Sequence, residues 1–145
     1  MVDISEIKSH NARVYADSDY PCQQLTGTIV AACHTVHNTL GFGFLEKMYR
    51  RALLIELDFG GVLATEEVPF PLDYRGVDLG TFRADVVVQS TVVVEVKTGL
   101  FLDPAAVPQT LNYLRVSGLS VGLICYFGPR LKIKRLVSTH SAIPV

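Results

Sequence analysis

The stretch Arg83-Ala-Asp85-Val-Val-Val-Gln-Ser-Thr-Val-Val-Val-Glu95-Val-Lys97 decides how the rest of this chain is read. Two β-branched runs flank the polar break Gln89-Ser90, which predicts two paired strands, Phe82–Val88 and Thr91–Lys97. Val92 to Val94 is apolar on both faces, the pattern of a strand buried at the centre of a sheet. Asp85, Glu95 and Lys97 are charged where that pattern predicts no charge. Side chains alternate along a strand, so Glu95 and Lys97 share one face and Val96 points to the other, into core. Pairing of the two strands lets Asp85 approach Glu95, and two carboxylates and an ammonium then converge on one spot. Such carboxylates repel unless a proton or a cation sits between them. Their hard oxygens suit Mg²⁺, and a lysine two positions on can hold or activate a water beside the metal. Glu-x-Lys is also a common tripeptide, and the same residues can be plain solvent-facing charges at a strand end. The rest of the chain has to decide.

The 145 residues suit one domain with a sizeable core, spanning 21–140 between an N-terminal arm, 1–20, and a short tail, 141–145. Hydrophobic residues make up 49% and mean hydropathy is +0.32, so little beyond the ends is expected to lack order. No apolar run approaches the ~18 residues of a membrane helix. The N-terminus lacks a basic segment followed by an apolar one, so no signal peptide and no membrane partner are expected. Cys22, Cys33 and Cys125 are scattered and odd in number, without disulfide, zinc or iron–sulfur spacing, which fits a reduced cytoplasm. Net charge is −1, so binding to nucleic acid would need local basic patches.

A first helix is expected from near Pro21 to Leu40, with Leu25, Ile29, Ala32, Val36 and Leu40 as its apolar face. Gly41 and Gly43 break it. A second, Phe44 to about Phe59, carries Leu45, Met48, Ala52, Leu53 and Leu57 towards the core and ends at Gly60-Gly61. Short strands follow at Val62–Glu66, Val68–Asp73 and Val77–Leu79, with a hairpin turn at Tyr74-Arg75-Gly76, before the valine-rich pair. A third helix ends at Gly118 and serves as crossover to a parallel strand, Val121–Phe127; Leu131–Val137 is the last strand. This order predicts an α/β or α+β domain, a mixed sheet flanked by helices.

Two helices carry further candidates. Glu46 and Tyr49 lie three apart on one face at the start of the second helix. The helix dipole, or an i,i+4 pair with Arg50, explains Glu46 equally well. Gln109 and Tyr113 lie four apart on the third helix and project together, opposite Leu111 and Leu114. The plainer reading makes Tyr113 a half-buried packing aromatic and Gln109 a surface residue.

Taken together, these pieces resemble the GxxExxY proteins, a branch of the PD-(D/E)XK nuclease superfamily. The resemblance rests on Gly43-x-x-Glu46-x-x-Tyr49, His37-Asn-Thr-Leu-Gly-Phe-Gly, Tyr74-Arg-Gly-Val-Asp-Leu-Gly, Arg83-Ala-Asp85, Val94-Glu95-Val-Lys97, Gln109-x-x-x-Tyr113 and Gly122-Leu-Ile-Cys-Tyr-Phe-Gly128, in order, from about Leu25 to Val137. Gln-x-x-x-Tyr is also similar to an element of RecB-type exonuclease domains. The resemblance implies a restriction-endonuclease-like core and a Mg²⁺- or Mn²⁺-dependent phosphodiesterase acting on DNA or RNA. It implies that Asp85, Glu95 and the Val96 carbonyl hold the metal, with Glu46 direct or through water. Lys97 orients or deprotonates the attacking water, and Gln109 and Tyr113 hold groups near the metal and the substrate. Gln109 should then lie closer to the metal than Tyr113.

The chain departs from the pattern in places. Ala84 stands where the superfamily name has Pro, and no cysteines match those of the iron–sulfur members, so no cluster is expected. Pro108 kinks the third helix if that helix starts at Asp103-Pro104, and is harmless if it starts at Pro108. His37 reads as a hydrogen-bonded packing residue. Lys47, Arg50, Arg51, Lys132, Lys134 and Arg135 are candidate contacts to a nucleic-acid backbone, or simply a solvated basic face. The rivals are a non-catalytic nucleic-acid-binding or regulatory module on the same fold, and a structural subunit of a homo-oligomer. The complete acid–acid–lysine set argues for turnover.

Overall fold

A computed structural model of the chain describes residues 22–139. The expected arm and tail, and Pro21 at the head of the first helix, lie outside the described residues. Helix α1 spans Gln23–Leu40, α2 Glu46–Phe59 and α3 Ala106–Ser117; strands are β1 Ala64–Tyr74, β2 Val77–Val88, β3 Val92–Thr98, β4 Val121–Phe127 and β5 Leu131–Val137. They form a five-stranded sheet in the order β1-β2-β3-β4-β5. All neighbours are antiparallel except β3 and β4. A parallel pair needs a crossover, and α3 supplies it as the sequence predicts.

The parity read from Val92–Lys97 sorts the core into two layers. Val92, Val94 and Val96 face α1 and α2, packing with Ile29, Cys33, Val36, Tyr49, Leu53 and Leu57. Val93 faces α3 with Leu111, Tyr113, Leu114 and Ile124. Every residue of β4 is buried, as suits an interior strand with helices over both faces. Glu95 follows the parity of Val93 and Lys97, so both charges leave the sheet on the α3 face.

Helix α2 departs from its expected orientation. Leu45 and Met48 are exposed, and Tyr49 is fully buried in the place foreseen for them. The Tyr49 ring stacks on Phe127 at 4.7 Å, its hydroxyl donates to the Gly41 carbonyl at 2.5 Å and accepts from the Phe44 N–H at 3.3 Å. A large ring held at both ends sets the roll of the helix, and two unbranched apolar side chains do not overcome it. His37 is the packing residue expected: its Nε2 is 2.8 Å from the Gly128 carbonyl, and its ring stacks on Phe127.

Four strands were expected where the structure has two long ones. β1 and β2 pair from Ala64↔Val88 to Tyr74↔Val77 around a turn at Arg75-Gly76, both with positive φ. That backbone is the tight hairpin turn whose twist matches the strands. Pro69 and Pro71 are tolerated because β1 is an edge strand. The turn between β2 and β3 takes one residue more than read: Thr91 belongs to it, its N–H donating to the Val88 carbonyl at 2.9 Å. Helix α3 begins at Ala106, between the two starts considered, after Asp103 Oδ1 accepts from the Ala105 N–H at 2.9 Å. Pro108 is its third residue. The first four N–H groups of a helix have no intrahelical partner, so the proline removes nothing.

Candidate functional site

Strands β2 and β3 pair at only three positions, Val88↔Val92, Val87↔Val93 and Val86↔Val94. At the next position the strands part, and Asp85 and Glu95 fill the fork. The Val96 N–H donates to Asp85 Oδ2 at 2.8 Å, and the Asp85 N–H donates to Glu95 Oε1 at 3.2 Å. Each carboxylate thus satisfies a main-chain donor of the opposite strand that the interrupted ladder leaves free. The two acids are brought together by those bonds, so their proximity is a property of the backbone. Glu95 is 2% exposed. Burial first, and then the charge of Asp85, push its carboxyl up to about 9, while Lys97 pulls the other way.

Lys97 lies on the same face, two residues on. Its Nζ donates to Gln109 Oε1 at 2.9 Å, and Gln109 Nε2 donates to the Tyr113 hydroxyl at 3.2 Å. Gln109 sits in the first turn of α3, close to the end of β3, and Tyr113 lies one turn further. Seen from Lys97, Gln109 comes before Tyr113 along this chain of hydrogen bonds. Tyr113 is buried, edge-on to Phe82 at 5.3 Å. Burial, Glu95 and Asp85 raise its hydroxyl pKa, in that order.

Glu46 opens α2 and is partly buried. Burial and then the charge of Asp85 raise its pKa, while Lys97 and Arg50 lower it, so it shares the field of the cluster. Tyr49, one turn along and locked in the core, fixes the helix that presents it.

Arg50 is placed inside the cluster. Its guanidinium reaches Glu66 Oε2 at 3.2 Å, Glu67 Oε1 at 3.4 Å and Asp85 Oδ1 at 4.0 Å, with 11% of the side chain exposed. The i,i+4 pair with Glu46 is replaced by these cross-element pairs. Glu66 and Glu67 were not singled out from the sequence. The signal was present: once β1 and β2 are one hairpin, Glu66↔Val86 and Val68↔Ala84 put Glu67 opposite Asp85. Lys47 and Arg51 are exposed on α2, and Lys132 and Lys134 are exposed on β5, two strands from β3. These four do not touch the carboxylates.

No group of three or more His, Cys, Asp or Glu side chains among the described residues is arranged to hold a metal ion. The donors on hand are a carboxylate pair, Asp85 and Glu95, with the main-chain carbonyl of Val96 between Glu95 and Lys97. Their chemistry fits a hard divalent cation. The raised pKa values of Glu95 and Glu46, each driven in part by Asp85, mark an excess of negative charge that such an ion would relieve.

A five-stranded mixed sheet flanked by helices, with acids at a strand fork, defines a restriction-endonuclease-like fold. Residues 23–136 match the family model of the PD-(D/E)XK nuclease superfamily, and the chain belongs to that superfamily. No curated protein matches the chain. Among solved structures it is similar to the crystal structure of SSO0001, at 21% identity and a TM-score of 0.49 over 63% of this chain. The match spans 48% of that chain, about half its length. Among the described residues no helix is long and apolar enough to cross a membrane.

Proposed function

We propose that this chain is a divalent-metal-dependent nuclease that hydrolyses phosphodiesters of DNA or RNA at the Asp85–Glu95–Lys97 cluster. Membership of the superfamily supports nuclease-type chemistry. The observation that carries the reading of this site is the cross-strand interlock of Asp85 and Glu95, with Lys97 held beside it by Gln109.

Asp85, Glu95 and the Val96 carbonyl would hold Mg²⁺ or Mn²⁺, and Glu46 would add charge from α2, direct or through water. The ion, when bound, stabilises charge on the phosphate and lowers the pKa of water. Lys97 carries the proton-handling role: an amine fixed in one direction can orient or deprotonate a water beside the scissile phosphate. Gln109 positions that amine, and Tyr113 holds the amide of Gln109. Arg50 supports Asp85 from α2 through its ion pair. Lys47, Arg51, Lys132 and Lys134 are available to phosphates.

The test is a cleavage screen with Mg²⁺ or Mn²⁺ on single- and double-stranded DNA and RNA, run with wild type and Lys97→Ala. Hydrolysis that needs the ion and is lost in Lys97→Ala is the expected result. Equal hydrolysis by both proteins would overturn the assignment of Lys97. Silence of wild type on every substrate would instead point to a binding or regulatory module, and a sizing column would then test for a homo-oligomer.

A further inference from the structure

The register places Lys97 beside Tyr126 and Tyr126 beside Lys132; one step along, Glu95, Ile124 and Lys134 form a second row. Residues paired across strands leave a sheet on the same face, so both rows lie on the face of the candidate site. Beyond Tyr126 this face opens into a groove of about 610 Å³, bounded by the connection Leu100–Pro104 and by residues Pro129–Lys134. That is room for a nucleotide-sized group.

The groove is built on a fixed floor. Tyr126 is 3% exposed, and its hydroxyl donates to the Gly99 carbonyl at 2.5 Å, tying the turn after Lys97 to β4. Its ring lies against Gly128, where an added Cβ would overlap it. Above this floor stands Phe101, 87% exposed. Arg130, Lys132 and Lys134 line the other side, and none of them pairs with a carboxylate among the described residues.

An exposed ring next to exposed cations is the combination that holds an unpaired nucleic-acid strand: bases stack on the ring while phosphates meet the cations. A duplex keeps its base faces stacked inside and offers Phe101 nothing to stack on. We infer that this groove binds a single strand of nucleic acid, with one base on Phe101 and its phosphates along Lys132 and Lys134, leading to Lys97. The direction of the strand rests on the nuclease reading; the binding does not.

The experiment measures binding of labelled oligothymidylate, oligouridylate and a mixed-sequence DNA duplex to the full chain in EDTA, by fluorescence anisotropy. Single strands of one or both kinds should bind at least about tenfold tighter than the duplex. Phe101→Ala should weaken single-strand binding by about 5- to 100-fold and leave duplex binding unchanged. Lys132→Glu with Lys134→Glu should weaken it further and flatten the slope of log K against log salt by about 1.4, the value for two phosphate contacts on a single strand. Both changes are at exposed positions, and a melting curve of each variant checks folding. Duplex binding as tight as single-strand binding, or single-strand binding indifferent to Phe101→Ala, would overturn the groove. The nuclease reading fails separately: strand binding that depends on Phe101, with no metal-dependent cleavage of any strand, keeps the groove and removes the hydrolysis.

Discussion

Lys97 and Gln109 are joined by a 2.9 Å hydrogen bond from the amine to the side-chain carbonyl oxygen, although β3 and α3 are separated by a loop in sequence. An ammonium on a four-carbon stem has many rotamers, and this bond selects one. The aim of Lys97 therefore depends on a residue that is itself exposed and makes little of the core.

Gln109→Ala should lower kcat by about 10- to 100-fold while the melting temperature stays within about a degree, since misplacement of a reacting group by an ångström is worth that much. Single-turnover cleavage at saturating substrate, beside a thermal melt, reads both. A variant with wild-type turnover would show that Lys97 needs no positioning.

Tyr113 combines two roles that two substitutions separate. Its ring packs edge-on against Phe82, and its hydroxyl accepts from Gln109. Tyr113→Ala should destabilise the fold by roughly 3–5 kcal/mol, as other buried aromatic truncations do. Tyr113→Phe keeps the ring and should cost about 1 kcal/mol of stability while turnover falls. Denaturant melts and cleavage rates per folded molecule check this pair; unchanged turnover in Tyr113→Phe would reduce Tyr113 to a packing residue.

Glu95 predicts a pH dependence. Its folded pKa, about 9, is far above the ordinary carboxyl value of 4.5. Between those values the unfolded chain has lost the proton and the folded chain retains it, so the folded state binds more protons and stability falls as pH rises. The slope for one proton approaches about 1.4 kcal/mol per pH unit. In EDTA, wild type should lose stability from about pH 5 to pH 9, and Glu95→Gln should be flatter and more stable than wild type at pH 8. The amide retains an oxygen for the Asp85 N–H, so the comparison isolates the charge. Parallel pH profiles for the two proteins would show that Glu95 is not the group responsible.

Mg²⁺ or Mn²⁺ should stabilise the protein, because the ion binds only where the carboxylates are gathered. At a hundredfold excess over Kd the gain is about 2.7 kcal/mol. It should grow with pH, as the ion replaces a proton on Glu95, and should vanish in Asp85→Asn. An equal rise in melting temperature for both proteins would place the ion elsewhere.

Much of this was legible in the valine runs. Their parity gave the two core layers and the common face of Glu95 and Lys97, and the one helix between the second run and Val121–Phe127 gave the parallel pair. The turn of the hairpin β1–β2 was legible at Tyr74-Arg75-Gly76, but the length of its strands was not, because boundaries fell at Glu67 and at Gly80-Thr81 where both strands run on. The contacts of Arg50 were hidden for the same reason, since Glu66 and Glu67 come near only after that hairpin forms. The orientation of α2 was misread because Tyr49 was weighed as a site residue. Leu45 and Met48 carry the hydrophobic signal, but the tyrosine, bonded at its hydroxyl and stacked on Phe127, decides the packing.

The fork between β2 and β3 also bears on how such a protein would change over generations. Asp85 and Glu95 close two main-chain hydrogen bonds where the ladder ends, so selection for a stable sheet maintains them with or without hydrolysis. Lys97 closes no main-chain bond of this kind; its amine donates to a side chain on the surface of α3. A lineage that abandoned cleavage would retain the acids and let the lysine drift. The acids therefore answer to the fold as well as to any chemistry, whereas the lysine answers to the proposed chemistry alone.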